Sequence, residues 1–174
     1  MNGLSKFLIE GILGESKPPI ALFGGGFKPP TKGHLDVVLQ GLKQTPEVNH
    51  IKILVGQGVR DGVTQGESIE VWKRYQKFIP IESEVIPVTS PLGFYKDYLR
   101  EHPEDKVYIF IGAREDNEGD LKDVAQRSKF IKRYSDNVIP TLVSTPGGVS
   151  GTLSRKYLNT DPFRFKKTLP HQLS

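Results

Sequence analysis

The sequence predicts a single α/β domain in which helices flank a doubly wound parallel sheet of five strands. Short apolar segments alternate along the chain with longer amphipathic ones, which is the pattern of repeated β and α units. The apolar segments are continuous rather than alternating, as in Val107–Ile111, and this is typical of parallel strands that are covered on both faces. A chain of 174 residues is long enough to bury one such core.

The predicted strands and helices follow one another in regular order. The strands are Ile20–Phe23, His50–Val55, Ser83–Val88, Val107–Ile111 and Val138–Val143. The helices are Gly33–Lys43, Ser68–Phe78, Leu92–Glu101 and Leu121–Tyr134, with a further helix expected after Ser150. We interpret residues 1–17 as an N-terminal helix or arm, 18–158 as the domain and 159–174 as a basic tail. Gly56–Glu67 is interpreted as a long, mobile polar loop on the ligand side, since such sheets bind ligands beyond the carboxyl ends of their strands.

The composition excludes several classes of protein. The chain has no cysteine, which excludes disulfides, thiolate catalysis and cysteine-based zinc sites, and we expect a cytoplasmic protein. No apolar run approaches the roughly 20 residues of a membrane helix, and the N-terminus lacks the features of a signal peptide. The formal net charge is +4, with cations concentrated in residues 122–133 and 155–167. A solvated surface, or cations around a polyphosphate, explains this charge better than a nucleic-acid site does, and all three interpretations stay open.

The segment Ile20–His34 carries the clearest functional pattern in the chain. An apolar strand leads into Gly24–Gly26, then into Phe27-Lys-Pro-Pro and the start of an amphipathic helix. The spacing excludes a P-loop, which needs a second glycine five residues after the first, and a dinucleotide fingerprint, which needs glycine or alanine at position 29. Backbone N–H groups at a helix N-terminus lack partners within the helix, and the helix dipole favours negative charge there. The segment therefore predicts a different kind of anion site.

The candidate catalytic residues lie at the start of that helix. We expect His34 to donate hydrogen bonds to phosphate oxygens and, as a cation, to stabilise the charge that develops on them. Thr31 is a favoured N-cap residue, and this role is compatible with phosphate binding. Gly33 costs helix stability relative to alanine, so the close approach of a flat ligand would explain its presence. Lys28 and Lys32 add positive charge.

A second glycine-rich segment also leads into a predicted helix. Residues 145–155 contain Ser150, Gly151 and Thr152, followed by Arg155 about one helical turn later. Hydroxyl and backbone N–H groups can hold terminal phosphates, and an arginine can clamp them. Alone, the segment is more simply explained as a capped helix. Two anion-binding helix starts after the first and last strands of one sheet are what a triphosphate needs.

Together the two segments resemble the signatures of one enzyme superfamily. Thr31-Lys-Gly-His34 resembles the (H/T)xGH motif of the nucleotidyltransferase superfamily, and Val149–Arg155 resembles its ISSTxxR motif. This superfamily includes cytidylyltransferases and the phosphopantetheine and nicotinamide-mononucleotide adenylyltransferases, and the resemblance implies a Rossmann-like fold. The chain departs from the pattern at Thr31, where many members have histidine, and at Gly151, where serine is usual.

The resemblance implies transfer of a nucleoside monophosphate from a nucleoside triphosphate to a phosphorylated small-molecule acceptor, with release of pyrophosphate. It implies no covalent intermediate, and Mg²⁺ bound mainly through the triphosphate. Thr31 favours ATP over CTP, because the phosphopantetheine adenylyltransferases also have threonine there. His34 and Thr31 would hold the α- and β-phosphates, and Arg155 would act with the second motif on the β- and γ-phosphates. The implied nucleotide-binding residues are Gly24, Gly25, Gly26, Phe27, Gly33, Gly112, Arg114, Ser150, Gly151 and Thr152.

Other residues are weaker candidates for the site. Arg60 and Arg74 are candidates for the acceptor phosphate, and Trp72 either lines the acceptor pocket or, as we favour, belongs to the core. Asp120 is interpreted as the N-cap of the helix Leu121–Tyr134. Asp116, beyond the fourth strand, is a candidate for a helix cap or for metal-bound water.

Two alternatives to a nucleotidyltransferase stay open. The first is a non-catalytic nucleotide- or nucleic-acid-binding protein that keeps the fold. The second is a relative of class I aminoacyl-tRNA synthetases, which share a His-x-Gly-His motif, but the chain lacks a KMSKS-like loop and an anticodon-binding region. The expected partners are therefore a nucleoside triphosphate and a phosphorylated acceptor, with neither a membrane nor, in the favoured interpretation, nucleic acid. The identity of the acceptor and a homo-oligomeric state are left open.

Overall fold

A computed structural model of the chain describes residues 17–114, residues 118–145 and Thr160. Five strands alternate with four α-helices in this part of the chain. The strands are β1 (Ile20–Gly25), β2 (His50–Gly56), β3 (Glu82–Val88), β4 (Val107–Arg114) and β5 (Val138–Thr145). The helices are α1 (Lys32–Gln44), α2 (Gln65–Tyr75), α3 (Pro91–Glu101) and α4 (Glu118–Lys132), and a 3₁₀ turn (Gln76–Phe78) follows α2.

The five strands form one parallel sheet in the order β3-β2-β1-β4-β5. The chain winds outward from β1 to β3, then returns to the centre and winds the other way through β4 and β5, so the predicted doubly wound, Rossmann-like fold is confirmed. β1 pairs with β4 only from Ile20 to Leu22, and the two strands are unpaired beyond that point. This opens a crevice at the carboxyl end of the sheet, where the order of the strands reverses and where ligands of such sheets bind.

Two apolar cores cover the two faces of the sheet. On one face α1 and α2 bury Val38, Trp72 and Tyr75 against the sheet residue Phe110. On the other face α3 and α4 pack against the strands. The helices contribute Tyr95, Leu99 and Ile131 to this core, and the strands contribute Leu22, Leu54 and Ile109. Both faces are therefore covered, which explains why the strands are continuously apolar.

The five predicted strands and the four predicted helices between them exist, but several bounds were wrong. The helix expected after Ser150, the N-terminal helix or arm and the basic tail lie, apart from residue 17 and Thr160, outside the described residues. The strands β1, β4 and β5 extend two or three residues beyond the predicted ends, because their glycine and polar residues still pair in the sheet. The helix α4 begins at Glu118, so Asp120 lies within its first turn and is not its N-cap. No helix in the described ranges is long and apolar enough to cross a membrane.

The segment predicted as a long loop, Gly56–Glu67, is structured in two ways. Its last three residues belong to α2, which starts after a capping box in which the Thr64 hydroxyl accepts from the Glu67 N–H and the Glu67 carboxylate accepts from the Thr64 N–H. Before this cap, Asp61 (φ 50°) and Gly62 (φ 81°) form a two-residue turn between Arg60 and Val63. The backbone N–H groups of Arg60 and Val63 each donate to the other residue's carbonyl. The Thr-x-x-Glu spacing was the signal in the sequence that would have placed the helix start.

Candidate functional site

The glycine loop begins where β1 loses its contact with β4. The Ile20 N–H donates to the carbonyl oxygen of Lys106, the residue before β4. Because the N–H groups of successive strand residues point alternately to the two neighbouring strands, the Gly24 N–H also points toward β4. Since β4 has separated by then, the Gly24 N–H instead donates to the hydroxyl oxygen of Tyr95 on α3. Burial raises the pKa of this tyrosine. A Cβ at Gly24 would lie 2.5 Å from the Tyr95 oxygen, so the contact requires glycine.

Phe27 turns the chain from the glycine loop toward α1. Its φ of 48° is in the left-handed region, which is uncommon for an aromatic residue and occurs where the surrounding structure fixes it. Its ring packs between His34 and Trp72, with ring centroids 5.0 and 5.2 Å away. Trp72 is fully buried, and its Nε1 has no hydrogen-bond partner within the described residues. The favoured interpretation of Trp72 as a core residue is consistent with this burial.

The Lys28 side chain holds the glycine loop in place through two hydrogen bonds to backbone carbonyls. The side chain is buried, and its ammonium donates to the carbonyls of Gly26 (2.5 Å) and Gly56 (2.8 Å), which joins the ends of β1 and β2. Burial lowers the pKa of Lys28, and the nearby positive charge of Arg60 lowers it further. Lys28 is therefore both a structural tie and a source of positive potential beside the loop.

The start of α1 orients His34. Thr31 is the N-cap residue, as predicted, and its backbone N–H donates to His34 Nδ1 at 2.9 Å. Because Nδ1 accepts this hydrogen bond, the proton of the neutral imidazole is on Nε2. The first-turn N–H groups of Lys32 and Gly33 lack acceptors within the helix and carry the positive end of its dipole. The helix start therefore presents several donors for an anion.

The pKa of His34 bears on the expectation that it acts as a cation during phosphate transfer, which stays a prediction. Burial lowers the pKa of His34 from 6.5 to about 4, so the ring is neutral near pH 7. Protonation of Nδ1 would also place a second donor against the Thr31 N–H. His34 is thus a fixed Nε2–H donor, and the dipole of α1 supplies part of the charge that the prediction gave to the imidazolium.

These groups open into a cavity of about 500 Å³ at the crevice between β1 and β4. This volume is within the range of small-molecule sites. The lining residues are Phe23, Gly24, Gly25, Gly26, Phe27, Thr31, Gly33, His34, Val37, Arg60, Gly112, Ala113, Asp120, Arg127 and Thr145. A Cβ at Gly112 would lie 2.7 Å from the Val37 side chain, so this position has no room for a larger residue. A Cβ at Gly26 would meet no atom within 4 Å, so the glycine there borders open space.

The charged groups of the cavity come from two separate elements. Arg60 extends from the hairpin turn after β2, and Arg127 comes from α4 together with Asp120. Arg127 also forms an ion pair with Asp123 at 2.8 Å, and its side chain is half exposed. The cavity is therefore bordered by two guanidinium groups, one carboxylate and the positive end of the α1 dipole, a set of groups that can interact with an anion.

The structure brings most of the predicted site residues together. Nine of them line the cavity, which are Gly24, Gly25, Gly26, Phe27, Thr31, Gly33, His34, Arg60 and Gly112. Trp72 and Arg74 are not among the lining residues; Trp72 is in the core and Arg74 is exposed on α2. Arg114 is the last residue of β4, at the same end of the sheet. Asp116, Ser150, Gly151, Thr152 and Arg155 lie outside the described residues.

Sequence reasoning missed three polar residues of the cavity. Thr145, which is buried at the end of β5, was noticed only as the start of the second glycine-rich segment. Asp120 was interpreted as a cap, and Arg127 as one of several surface cations. The seven-residue spacing of Asp120 and Arg127 places them on one helix face, and this was the available signal.

The fold and the site together define a Rossmann-like α/β protein with a polar cavity, lined by two arginines and the start of α1, at the point where strand order reverses. Among solved structures, this chain is similar to nicotinic acid mononucleotide adenylyltransferase from Plasmodium falciparum, complexed with APC. The TM-score is 0.61, at 15% sequence identity, over 90% of this chain and 92% of that chain. No protein-family model matches the chain, and no curated protein matches it in sequence. The similarity therefore concerns the fold.

Proposed function

We propose that this protein is a nucleotidyltransferase that transfers a nucleoside monophosphate from a nucleoside triphosphate to a phosphorylated small molecule. AMP is favoured over CMP as the transferred group. One observation carries the proposal: the glycine loop, the start of α1 and the Nε2–H of His34 converge in one cavity at the strand-order reversal. The fold shared with an adenylyltransferase that was solved with APC, a nucleotide analogue, supports it.

The reaction needs little acid–base chemistry from the protein. An oxygen of the acceptor phosphate forms a bond to the α-phosphorus, and the bond from that phosphorus to the α,β-bridging oxygen breaks, so pyrophosphate leaves with the electron pair. Because the acceptor is already an anion, no strong general base is required. Catalysis is then mostly positioning together with stabilisation of charge on the phosphate oxygens.

The cavity offers a place for each part of this reaction. The α- and β-phosphates would lie over the start of α1, where His34 Nε2–H and the first-turn N–H groups donate. Arg60 would hold the acceptor phosphate at the β2 side, where Lys28 adds positive charge. Arg127 would face the triphosphate from the opposite wall, and Gly33 and Gly112 would border the nucleoside. Ser150, Thr152 and Arg155 stay assigned to the β- and γ-phosphates on the second motif alone.

The donor set of the cavity fits Mg²⁺ brought in with the triphosphate. Magnesium in such sites is held by one or two carboxylates together with substrate phosphates. Asp120 is the carboxylate that lines the cavity, and the described residues contain no group of three or more His, Asp or Glu side chains that could hold a metal. Asp120 would therefore hold the ion from the protein side, and the ion would neutralise charge on the phosphates when bound.

Pyrophosphate release tests the proposal. The full chain is assayed with ATP and with CTP against a panel of phosphomonoesters, beside His34→Ala and the control His50→Ala. His50 lies at the amino end of β2, so its loss should leave turnover unchanged. We expect His34→Ala to lower kcat roughly 100- to 1000-fold, as loss of a preorganised donor does. Triphosphate binding without turnover for any acceptor would instead favour the non-catalytic nucleotide-binding protein, and full activity of His34→Ala would refute the site.

A further inference from the structure

Helix α4 carries a row of cations on the face that points away from the sheet. Lys122, Lys129 and Lys132 of α4 are exposed, as is Arg133, the first residue after the helix. The seven-residue spacing of Lys122 and Lys129 places them on one face of the helix, and Lys132 lies beside them. The opposite side buries Ile131 and directs Asp120 and Arg127 toward the cavity, and these three residues lie on one face by the same spacing. The four cations therefore do not surround the cavity. A polyphosphate bound in the cavity explains Arg127 but not this row.

Few acidic side chains accompany the row. Within residues 17–114 and 118–145, none of the four cations forms an ion pair, although Arg127 on the same helix pairs with Asp123. Glu118 lies one turn before Lys122, at the beginning of the row, and the next two acidic residues of α4, Asp120 and Asp123, lie away from this face. At a rise of 1.5 Å per residue, the row extends about 16 Å along the helix. Lys129, Lys132 and Arg133 lie at one end of the row, and Lys122 lies about 10 Å before Lys129.

We propose that this row binds the phosphate backbone of a single-stranded nucleic acid. A line of cations that follows a helix matches a chain of evenly spaced phosphates better than it matches one small anion. A lipid surface fits less well, because a helix that binds membranes inserts an apolar face, and the apolar face of α4 is packed against the sheet. The proposal does not depend on the transferase activity, since it uses a different face of the molecule.

The salt dependence of oligonucleotide binding tests this proposal. The full chain is titrated into a short fluorescent single-stranded oligonucleotide, and anisotropy is followed between about 50 and 200 mM NaCl. Four phosphate contacts predict a slope of about −2.8 for log K against log salt, which is about a 50-fold loss of affinity over this range. In the double variant Lys129→Gln, Arg133→Gln the slope should fall to about −1.4.

A matched control separates the row from net charge. Lys73 and Lys77, on α2 and the 3₁₀ turn after it, are exposed and have the same four-residue spacing, so Lys73→Gln, Lys77→Gln removes the same charge elsewhere. The proposal requires that this variant keep the wild-type slope. It is overturned if both double variants lose affinity equally, if neither changes, or if the wild type shows no binding at the lowest salt. Sedimentation with phosphatidylserine vesicles that depends on Lys129 and Arg133, in the absence of oligonucleotide binding, would also overturn it in favour of a lipid surface.

Discussion

The neutral state of His34 predicts a specific dependence of stability on pH. Burial holds the pKa of His34 at about 4 in the folded protein, against 6.5 for the exposed side chain of the unfolded chain. Between these values the unfolded state binds a proton that the folded state does not. This contribution to stability is therefore fully present above about pH 6.5 and is lost as the pH falls toward 4. A shift of this size corresponds to about 3 kcal/mol.

The substitution His34→Gln isolates this effect. Glutamine at the third helical position accepts from the N-cap backbone N–H in a capping box, so it replaces the Nδ1 contact to Thr31 without titrating. All other ionisable groups stay the same in the two proteins. We expect wild type to lose about 3 kcal/mol more than His34→Gln when the pH is lowered from about 7 to about 4.

Urea unfolding at several pH values measures this difference. Trp72 is the single tryptophan and is fully buried in the core, so its fluorescence reports unfolding directly. The free energy of unfolding is compared for the two proteins at each pH, and the difference between them should change most between pH 6.5 and 4. Parallel pH profiles for wild type and His34→Gln would refute the assignment of a neutral imidazole.

Three further predictions concern stability, and urea unfolding measures each. Gly24→Ala should lower the free energy of unfolding by about 1–3 kcal/mol, because the new Cβ meets Tyr95 and Pro91. Gly26→Ala is the control and should lower it much less, because its Cβ meets no atom within 4 Å. Equal effects of the two substitutions would contradict this geometry. Tyr95→Phe leaves the Gly24 N–H without its acceptor and should cost about 1–3 kcal/mol, whereas Tyr98→Phe, on the same helix, is the control and should cost less. Thr64→Ala removes the cap of α2 and should cost about 1 kcal/mol, and Thr64→Ser should restore most of it; no loss in the alanine variant would contradict the capping role.

The local parts of the site could be predicted from the sequence. A strand, a glycine turn and a helix start are close together along the chain, so Gly24–His34 had to form one wall of the site wherever the rest of the sheet lay. The doubly wound topology followed from the alternation of strands and helices. Arg60 was found because it directly follows the end of a strand.

The distant parts of the site depend on tertiary packing that no short pattern encodes. Asp120 and Arg127 reach the cavity because α4 packs against β4 and β5 beside the crevice, and the sequence carries no sign of where that crevice opens. The lowered pKa of His34 likewise comes from burial, which depends on how the chain packs around the ring. Residue type alone does not give this shift.

The hydrogen bond that orients His34 has a consequence for how this segment tolerates change. Its donor is the backbone N–H of residue 31, which every amino acid except proline possesses. A substitution at position 31 other than proline therefore keeps this contact, although it changes the buried Thr31 side chain, whose hydroxyl lies 3.2 Å from the same nitrogen. The (H/T)xGH pattern that this segment resembles admits threonine or histidine at its first position, and a backbone donor is compatible with either residue. In this protein, the peptide backbone at position 31 holds His34 Nδ1 in place whichever residue other than proline stands there.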